Sequence, residues 1–259
     1  MTYYHMIISD IWSHGDYAPM TERMRPAGEK LAEKVAGMLP AGASIADIGA
    51  GHGEMARSLA ERGFKVTAVE PAEKLVEEGK VRTGDAVNWL VGKAEELDLP
   101  DNSQDAVISA FGLIYAAPPP SLAQAARVLK PGGLLAMTVM GKYGFRNDEI
   151  ERMLTVLPDM RGLAHLRWGN EAWGKEQLAR HFTDFTSEEH SYPWEFGSVA
   201  EALEFYDNSS PIHYAWYKFA EEKNEDMRAV VEAYLTENAR PDGSIKGEAP
   251  YRLYTARVK

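Results

Sequence analysis

The residues with the clearest chemical potential lie in one run, ADIGAGHGEMARSLA, from Ala46 to Ala60. Gly49, Gly51 and Gly53 sit there between two acids, Asp47 and Glu54. Glycines at this density mark a backbone that bends sharply and lets a ligand approach closely. Their G-x-G-x-G spacing departs from the dinucleotide fingerprint, whose third glycine would stand at Glu54, and the phosphate-loop pattern is absent as well. Phosphate is held at a helix N-terminus by backbone N–H groups and the helix dipole, so a carboxylate on either side of that spot repels it. The pattern therefore predicts a phosphate-free ligand that carries a cation. Seventeen residues after Gly53, Glu70 offers a carboxylate that can accept hydrogen bonds from both hydroxyls of a ribose.

Such a turn has to be held by a strand before it and a helix after it, and the flanking sequence supplies both. SIADI (44–48) reads as a strand, GEMARSLAER as a helix stopped by Gly63, KVTAVE (65–70) as a second strand, and AEKLVEEG as a second helix. Further strands are expected at 86–92, 105–111 and 134–140, with the helix SLAQAARVL between the last two, stopped by KPGG. The fifth strand, LLAMTVM, shows no polar alternation, as expected where helices cover both faces. A helix over 22–39 precedes the first strand, burying Leu31, Val35, Met38 and Leu39. This alternation predicts an α/β fold with a doubly wound, mostly parallel sheet and a ligand at the carboxyl ends of its strands.

From about Tyr143 the rhythm changes. Residues 161–220 hold 13 of the 26 aromatic residues, mostly in helical patterns, with one strand expected around TSEEHSYPWEF and a closing strand at 251–258. We expect a single domain over 1–259, with an N-terminal helical cap (1–40) and an aromatic-rich lid segment (143–238) that returns to the sheet. Aromatic stripes usually pack a core, and a lid can use them for both purposes.

Composition narrows the function. A formal charge of −11 works against nucleic acid, which is bound through clustered Lys and Arg, and no such cluster occurs. With no cysteine there is no disulfide framework, thiolate metal site or cysteine nucleophile, and no metal is expected. The longest apolar run is too short to span a bilayer and the N-terminus lacks a secretory pattern, so a cytoplasmic location is expected.

A ligand with an ammonium, a sulfonium, a carboxylate and a ribose, but no phosphate, is S-adenosylmethionine. The residues that call for it also carry a resemblance. ADIGAGHG, VEPAEKL, VGKAEELDLPDNSQDAVIS and ARVLKPGGLLAMT stand in the order of the motifs of class I S-adenosylmethionine-dependent methyltransferases. In particular, the chain resembles the small-molecule group that includes the ubiquinone and menaquinone biosynthesis enzymes. The resemblance is strong over roughly residues 9–140 and weak beyond. It implies a seven-stranded Rossmann-like methyltransferase sheet, with Asp47, Gly49, Ala50 and Gly51 at the methionine part and Glu70 and Pro71 at the ribose. Ala94 and Glu95 would border the adenine, Phe111 would close the site, and Tyr17 would reach the cofactor from DIWSHGDYAPM (10–20).

Methyl transfer asks mainly for alignment of the nucleophile and exclusion of water, with a general base where the acceptor carries a proton. Tyr115, after the fourth strand, and His213, on the lid beside Tyr214, are the candidates for that contact; His14 and His52 are weaker ones. The Asn-Pro-Pro-Tyr type motif of enzymes that methylate exocyclic or amide nitrogens is replaced by GLIYAAPPP. The expected partner is a small, partly apolar or aromatic acceptor. The other readings are an enzyme that uses the bound sulfonium for different chemistry, a cofactor-binding sensor without catalysis, and, at the level of the fold, an NAD-dependent oxidoreductase, against which the glycine spacing and Asp47 argue.

Overall fold

A computed structural model describes residues 11–259 of the chain; the first ten residues of the expected N-terminal cap lie outside the described residues. The first helix, α1 (Ala18–Ala36), starts four residues earlier than its apolar pattern suggests and buries Met20, Ala27, Leu31 and Val35. Met38 and Leu39 fall beyond its end and are half-buried. The alternating part follows: β1 (Ser44–Ile48), α2 (Glu54–Glu61), β2 (Lys65–Glu70), α3 (Glu73–Thr83), β3 (Val87–Val91), β4 (Gln104–Ala110), α4 (Pro118–Val128) and β5 (Leu129–Met140).

Seven strands form one sheet in the order β3-β2-β1-β4-β5-β7-β6, where β6 is Phe182–Phe196 and β7 is Ile245–Val258. β1 to β5 pair in parallel, while β7 runs antiparallel to both of its neighbours. The chain winds outward from β1 through β2 to β3, then crosses back to lay β4 on the other side of β1. That reversal opens a crevice at the carboxyl ends of β1 and β4, where ligands bind in open α/β sheets. Successive residues point to opposite faces: Ile45 and Ile108 pack under α1, α2 and α3, while Ala46 and Val107 join the larger core beneath α4 and the C-terminal helices.

Two differences from the sequence reading have plain causes. β5 begins at Leu129, the last residue of the expected helix, and runs through the stretch read as its stop. Its register with β4 steps from Gln104↔Leu129 to Ala106↔Leu134, so Pro-Gly-Gly bulges out of a strand already under way. Likewise β6 spans Phe182 to Phe196, longer than TSEEHSYPWEF, because as an edge strand it exposes one polar face and carries a register shift between Thr183 and Thr186. The segment 143–238 thus contributes a sheet strand as well as helices. Those helices are α5 (Phe145–Val156), α6 (Ala164–Arg167), α7 (Glu171–Leu178), α8 (Val199–Ser209), α9 (Pro211–Ala220) and α10 (Asn224–Glu237). Among the described residues, no helix is long and apolar enough to cross a membrane.

Candidate active site

The glycine turn closes β1 onto α2 with Gly49 at φ +70° and Gly51 at φ +57°, backbone states that side-chain-bearing residues adopt only with strain. The two glycines do different jobs. A Cβ on Gly49 would lie 2.7 Å from Gly112 Cα, so Gly49 lets the turn after β4 come into backbone contact with the turn after β1. A Cβ on Gly51 would meet nothing nearer than a ring carbon of Tyr17, at 3.5 Å. The Cβ side of Gly51 is therefore open, whereas that of Gly49 is packed against protein.

The turn's amides explain why no phosphate belongs there. Gly49 and Ala50 donate to the Val69 carbonyl at 2.8 and 3.3 Å, Gly53 donates to the Ala50 carbonyl at 2.9 Å, and Gly51 donates to the Glu70 carboxylate at 3.0 Å. A phosphate cradle needs such amides free. Glu54, which the spacing argument also invoked, contributes less: it is paired with Arg57 at 3.2 Å and Arg82 at 3.0 Å, so its charge is compensated.

Glu70 ends β2 almost fully buried, and its other oxygen accepts from the Ala72 amide at 3.1 Å. Burial pushes its carboxyl up to about 7, against the pull of the two amide bonds. Asp47 is 1% exposed and neither of its carboxylate oxygens has a hydrogen-bond partner among the described residues. Desolvation, helped by the nearby Glu70, raises its carboxyl to about 8. A buried acid with no partner costs stability unless a ligand completes it.

The main cleft encloses about 1180 Å³, open mouth included. Gly49, Gly51, Glu70 and Pro71 line one end, Ala94 and Glu95 border it beyond β3, and Phe111 and Tyr115 line it beyond β4. Glu95 also accepts the Ala117 amide at 2.8 Å, which ties the β3 turn to the start of α4. Phe111 is buried at φ +60°, a strained state held by its amide bond to Thr138 Oγ1 at 3.1 Å. Asp47 and Ala50 line a second cavity on the α1–α2 side, which shares Tyr17, Gly49, Gly51 and Phe111 with the main cleft.

The N-terminal segment lies across this region. Lys74 Nζ donates to the Gly15 carbonyl at 2.9 Å, the Asp16 amide donates to the Asn208 carbonyl at 2.9 Å, and the His14 ring stacks on Tyr214 at 3.5 Å. These ties bring Trp12 and Tyr17 to the cleft wall, with the Trp12 ring edge-on to both Tyr17 and Tyr115 at 5.6 and 5.1 Å. His52 turns the other way, its Nε2 2.7 Å from Glu78 and its Nδ1 3.4 Å from Thr21 Oγ1, and so joins the turn to α3 and α1.

His213 stands apart from the other expected site residues. It does not line the cleft; it is 3% exposed, stacked on Tyr206 at 3.7 Å, with Nδ1 2.7 Å from Ser210 Oγ and Nε2 3.4 Å from Glu149. Its helix α9 reaches the cleft through Pro211 and Ile212 instead, and Tyr214 is spent on His14. The reading of the sequence also missed Arg146 and Met140, which line the cleft from α5 and the end of β5. An arginine in the first turn of an ordinary amphipathic helix carries no signal of this.

A sheet in this strand order, a crevice at β1 and β4, and acids at the ends of β1 and β2 define a class. Residues 46–137 match the family model described as a methyltransferase domain. It is 37% identical over 126 residues to an uncharacterized methyltransferase of Mycobacterium tuberculosis, a match covering 48% of this chain and 51% of that protein. The chain thus spans about half the length of this curated relative. In fold it is similar to the YcgJ protein of Bacillus subtilis, with a TM-score of 0.63 at 16% identity, covering 89% of this chain and 99% of that one. It is also similar to a phosphoethanolamine N-methyltransferase 2 of Haemonchus contortus solved with S-adenosylhomocysteine, with a TM-score of 0.55 at 19% identity, covering 88% and 51% of the two chains.

The residues present fit that cofactor. The partnerless Asp47 carboxyl can receive its ammonium, the Cβ-free side of Gly51 gives it backbone approach, and the remaining lone pairs of Glu70 can take its ribose hydroxyls.

Proposed function

We propose that the protein transfers the methyl group of S-adenosylmethionine to a small acceptor with an apolar or aromatic body. One observation carries this reading: a single cleft runs without a partition from Glu70 and Pro71 past Gly49 to Tyr115, Met140 and Ile212, so donor and acceptor can share one space. Beyond Trp12, Tyr115 and Ile212 lies an adjoining cavity of about 450 Å³ whose walls include Met160, Leu163, Trp216 and Phe219. Walls of that kind suit an apolar group. The charge of −11 favours a small molecule over a nucleic acid.

When bound, S-adenosylmethionine supplies a methyl group already activated by its sulfonium. The chain's own residues then have three tasks. Asp47, Gly51 and Glu70 hold the donor. Trp12 and Tyr17 cover it, excluding water and fixing the approach of the acceptor. Tyr115 is the residue we assign to contact with the acceptor, where its hydroxyl can orient the nucleophile or take a proton from it. The reading of 143–238 as a lid is supported by Arg146, Pro211 and Ile212, which approach the cleft from α5 and α9.

The test is thermal unfolding with S-adenosylhomocysteine and with NAD, each in excess. A ligand that binds only the native state raises the melting temperature by mass action. The nucleoside thioether should stabilise and NAD should not, and the reverse result overturns the proposal. A screen of phenols, quinones and amines, read by mass spectrometry for added methyl, then finds the acceptor class.

A further inference from the structure

Arg146 stands in the first turn of α5 and is 9% exposed, the one buried arginine among the described residues. Its guanidinium lies over the Trp194 ring at 4.3 Å, and Nη1 donates to the Tyr192 hydroxyl at 3.4 Å. Among the described residues no carboxylate oxygen comes within the ion-pairing distance of 4.0 Å. Glu149, one turn further along α5, is engaged elsewhere: its Oε2 accepts from the Tyr206 hydroxyl at 3.2 Å and lies 3.4 Å from His213. Arginines far more open to water, such as Arg127 and Arg252, do have carboxylate partners, at 2.5 and 2.7 Å.

An arginine cannot escape this situation by losing its proton, because guanidinium stays charged in proteins. It presents five N–H donors in a planar fork, and among the described residues it makes one long bond, to the Tyr192 hydroxyl. A buried, incompletely satisfied cation is costly to fold around. Arg146 lines the main cleft beside Met140, Phe111 and Tyr115, and the small pocket next to it beside Tyr192 and Asn147. It stands on the β4–β5 side of the cleft. The donor-holding residues Asp47, Gly51 and Glu70 stand on the β1–β2 side.

We infer that Arg146 is the binding residue for an anionic group of the methyl acceptor, so that the substrate is a small acid with an apolar or aromatic body. The inference rests on the methyltransferase reading of the same cleft. A planar carboxylate matches the fork and can accept two parallel bonds from it. With the carboxylate there, the body of the acceptor extends along Tyr115 and Met140 toward Trp12 and the apolar side cavity, and the nucleophilic atom falls between the anchor and the donor. The cofactor also carries a carboxylate, and the test separates the two sources.

The probes are benzoate, 4-hydroxybenzoate and cinnamate, each paired with its uncharged amide, in thermal unfolding of the protein saturated with S-adenosylhomocysteine. At least one carboxylate should raise the melting temperature while its amide does not. In Arg146→Met, which keeps the length of the side chain, the affinity for that carboxylate should fall about ten- to hundredfold, with the affinity for S-adenosylhomocysteine unchanged. Arg146→Lys, which keeps the charge but not the fork, should fall in between. Without ligand, Arg146→Met should unfold at the same temperature as the parent or higher, whereas a structural role over Trp194 predicts a fall. The inference is overturned if no carboxylate stabilises more than its amide, if the shift survives in Arg146→Met, or if Arg146→Met weakens S-adenosylhomocysteine itself, which would assign the fork to the cofactor. Failure of S-adenosylhomocysteine to stabilise the parent protein would instead overturn the methyltransferase reading.

Discussion

The two ends of the cleft are built on opposite principles. The proposed donor end, with the cavity beside it that Asp47 lines, comes from one short stretch of chain: Asp47, Gly49, Gly51 and Glu70 stand within 24 residues of each other, and backbone amides fix the turn and Glu70. The acceptor end is assembled from side chains that meet only on folding: Trp12, Tyr115, Met140, Arg146 and Ile212 come from five separate segments. A ligand common to many proteins can be held by a local strand–turn–helix unit, whereas a particular acceptor needs side chains gathered from across the chain. Substitutions at the donor end should therefore act on the fold and the cofactor together, and those at the acceptor end on the acceptor alone.

The largest effect is expected at Gly49. Alanine there meets both a left-handed backbone and the Gly112 backbone at 2.7 Å, for a cost of about 3 kcal/mol or more. Gly51→Ala bears only the backbone penalty, roughly 1 kcal/mol, while its methyl intrudes on the cleft. Denaturant unfolding should show Gly49→Ala far less stable than Gly51→Ala, and titration with S-adenosylhomocysteine should show Gly51→Ala binding weakly although folded. Equal stability of the two would break the division between a glycine that serves the fold and one that serves the ligand.

Asp47 should show the two roles in conflict. Its carboxyl titrates near 8 in the folded chain against 3.8 without the fold, so between those values the native state holds a proton that the unfolded state lacks. The stability this brings is complete below pH 3.8 and is lost as pH rises through 8. Asp47→Asn removes that loss. The cofactor-free variant should melt several degrees higher than the parent at pH 8.5, for a difference on the order of a few kcal/mol, yet bind S-adenosylhomocysteine about tenfold more weakly. Binding of the cofactor ammonium favours the ionised form, so the parent's affinity should fall as pH drops below 8, with proton uptake on release, and the variant should lack that dependence. A variant that neither stabilises nor loses affinity would remove Asp47 from the donor end.

The glycine turn and the acids beside it were legible in the sequence because the fold demands them locally: an apolar strand, glycines where the chain must turn, and an acid at the next strand end. The doubly wound, mostly parallel sheet followed from the same alternation. What stayed hidden is what depends on distant partners. Arg146 drew no reading from the sequence; it meets Tyr192 and Trp194 on an edge strand that begins at Phe182 and extends beyond its expected length. The electrostatic case against phosphate was incomplete. Glu54 is neutralised by two arginines, and the deciding fact, that the turn's amides are already bonded, exists only in three dimensions.

At the acceptor end Tyr115→Phe removes one hydroxyl and keeps the ring against Trp12. Once an acceptor is in hand, turnover should drop about tenfold with affinity for S-adenosylhomocysteine unchanged. A fall in cofactor affinity instead would join the two ends that the comparison separates.

The smallest effect on turnover is expected at His213, and it sharpens the comparison most. This histidine carries the outward marks of a catalytic base, with a carboxylate at 3.4 Å from one ring nitrogen and a hydroxyl at 2.7 Å from the other. Yet the ring is stacked on Tyr206 behind the cleft wall and has no face toward the ligand space. The chain of contacts from Trp194 Nε1 through the Tyr206 hydroxyl and Glu149 to His213 and Ser210 links β6, α5, α8 and α9 in their cores. His213→Gln keeps a polar side chain but loses the stacking and the fit, so the melting temperature should fall by a few degrees, about 1–2 kcal/mol. Turnover per folded molecule should remain within about twofold of the parent, because nothing that touches donor or acceptor has changed. A large loss of turnover at unchanged melting temperature would mean that α9 swings His213 into the cleft during the reaction, and the acceptor end would then extend one turn deeper into the lid than Ile212.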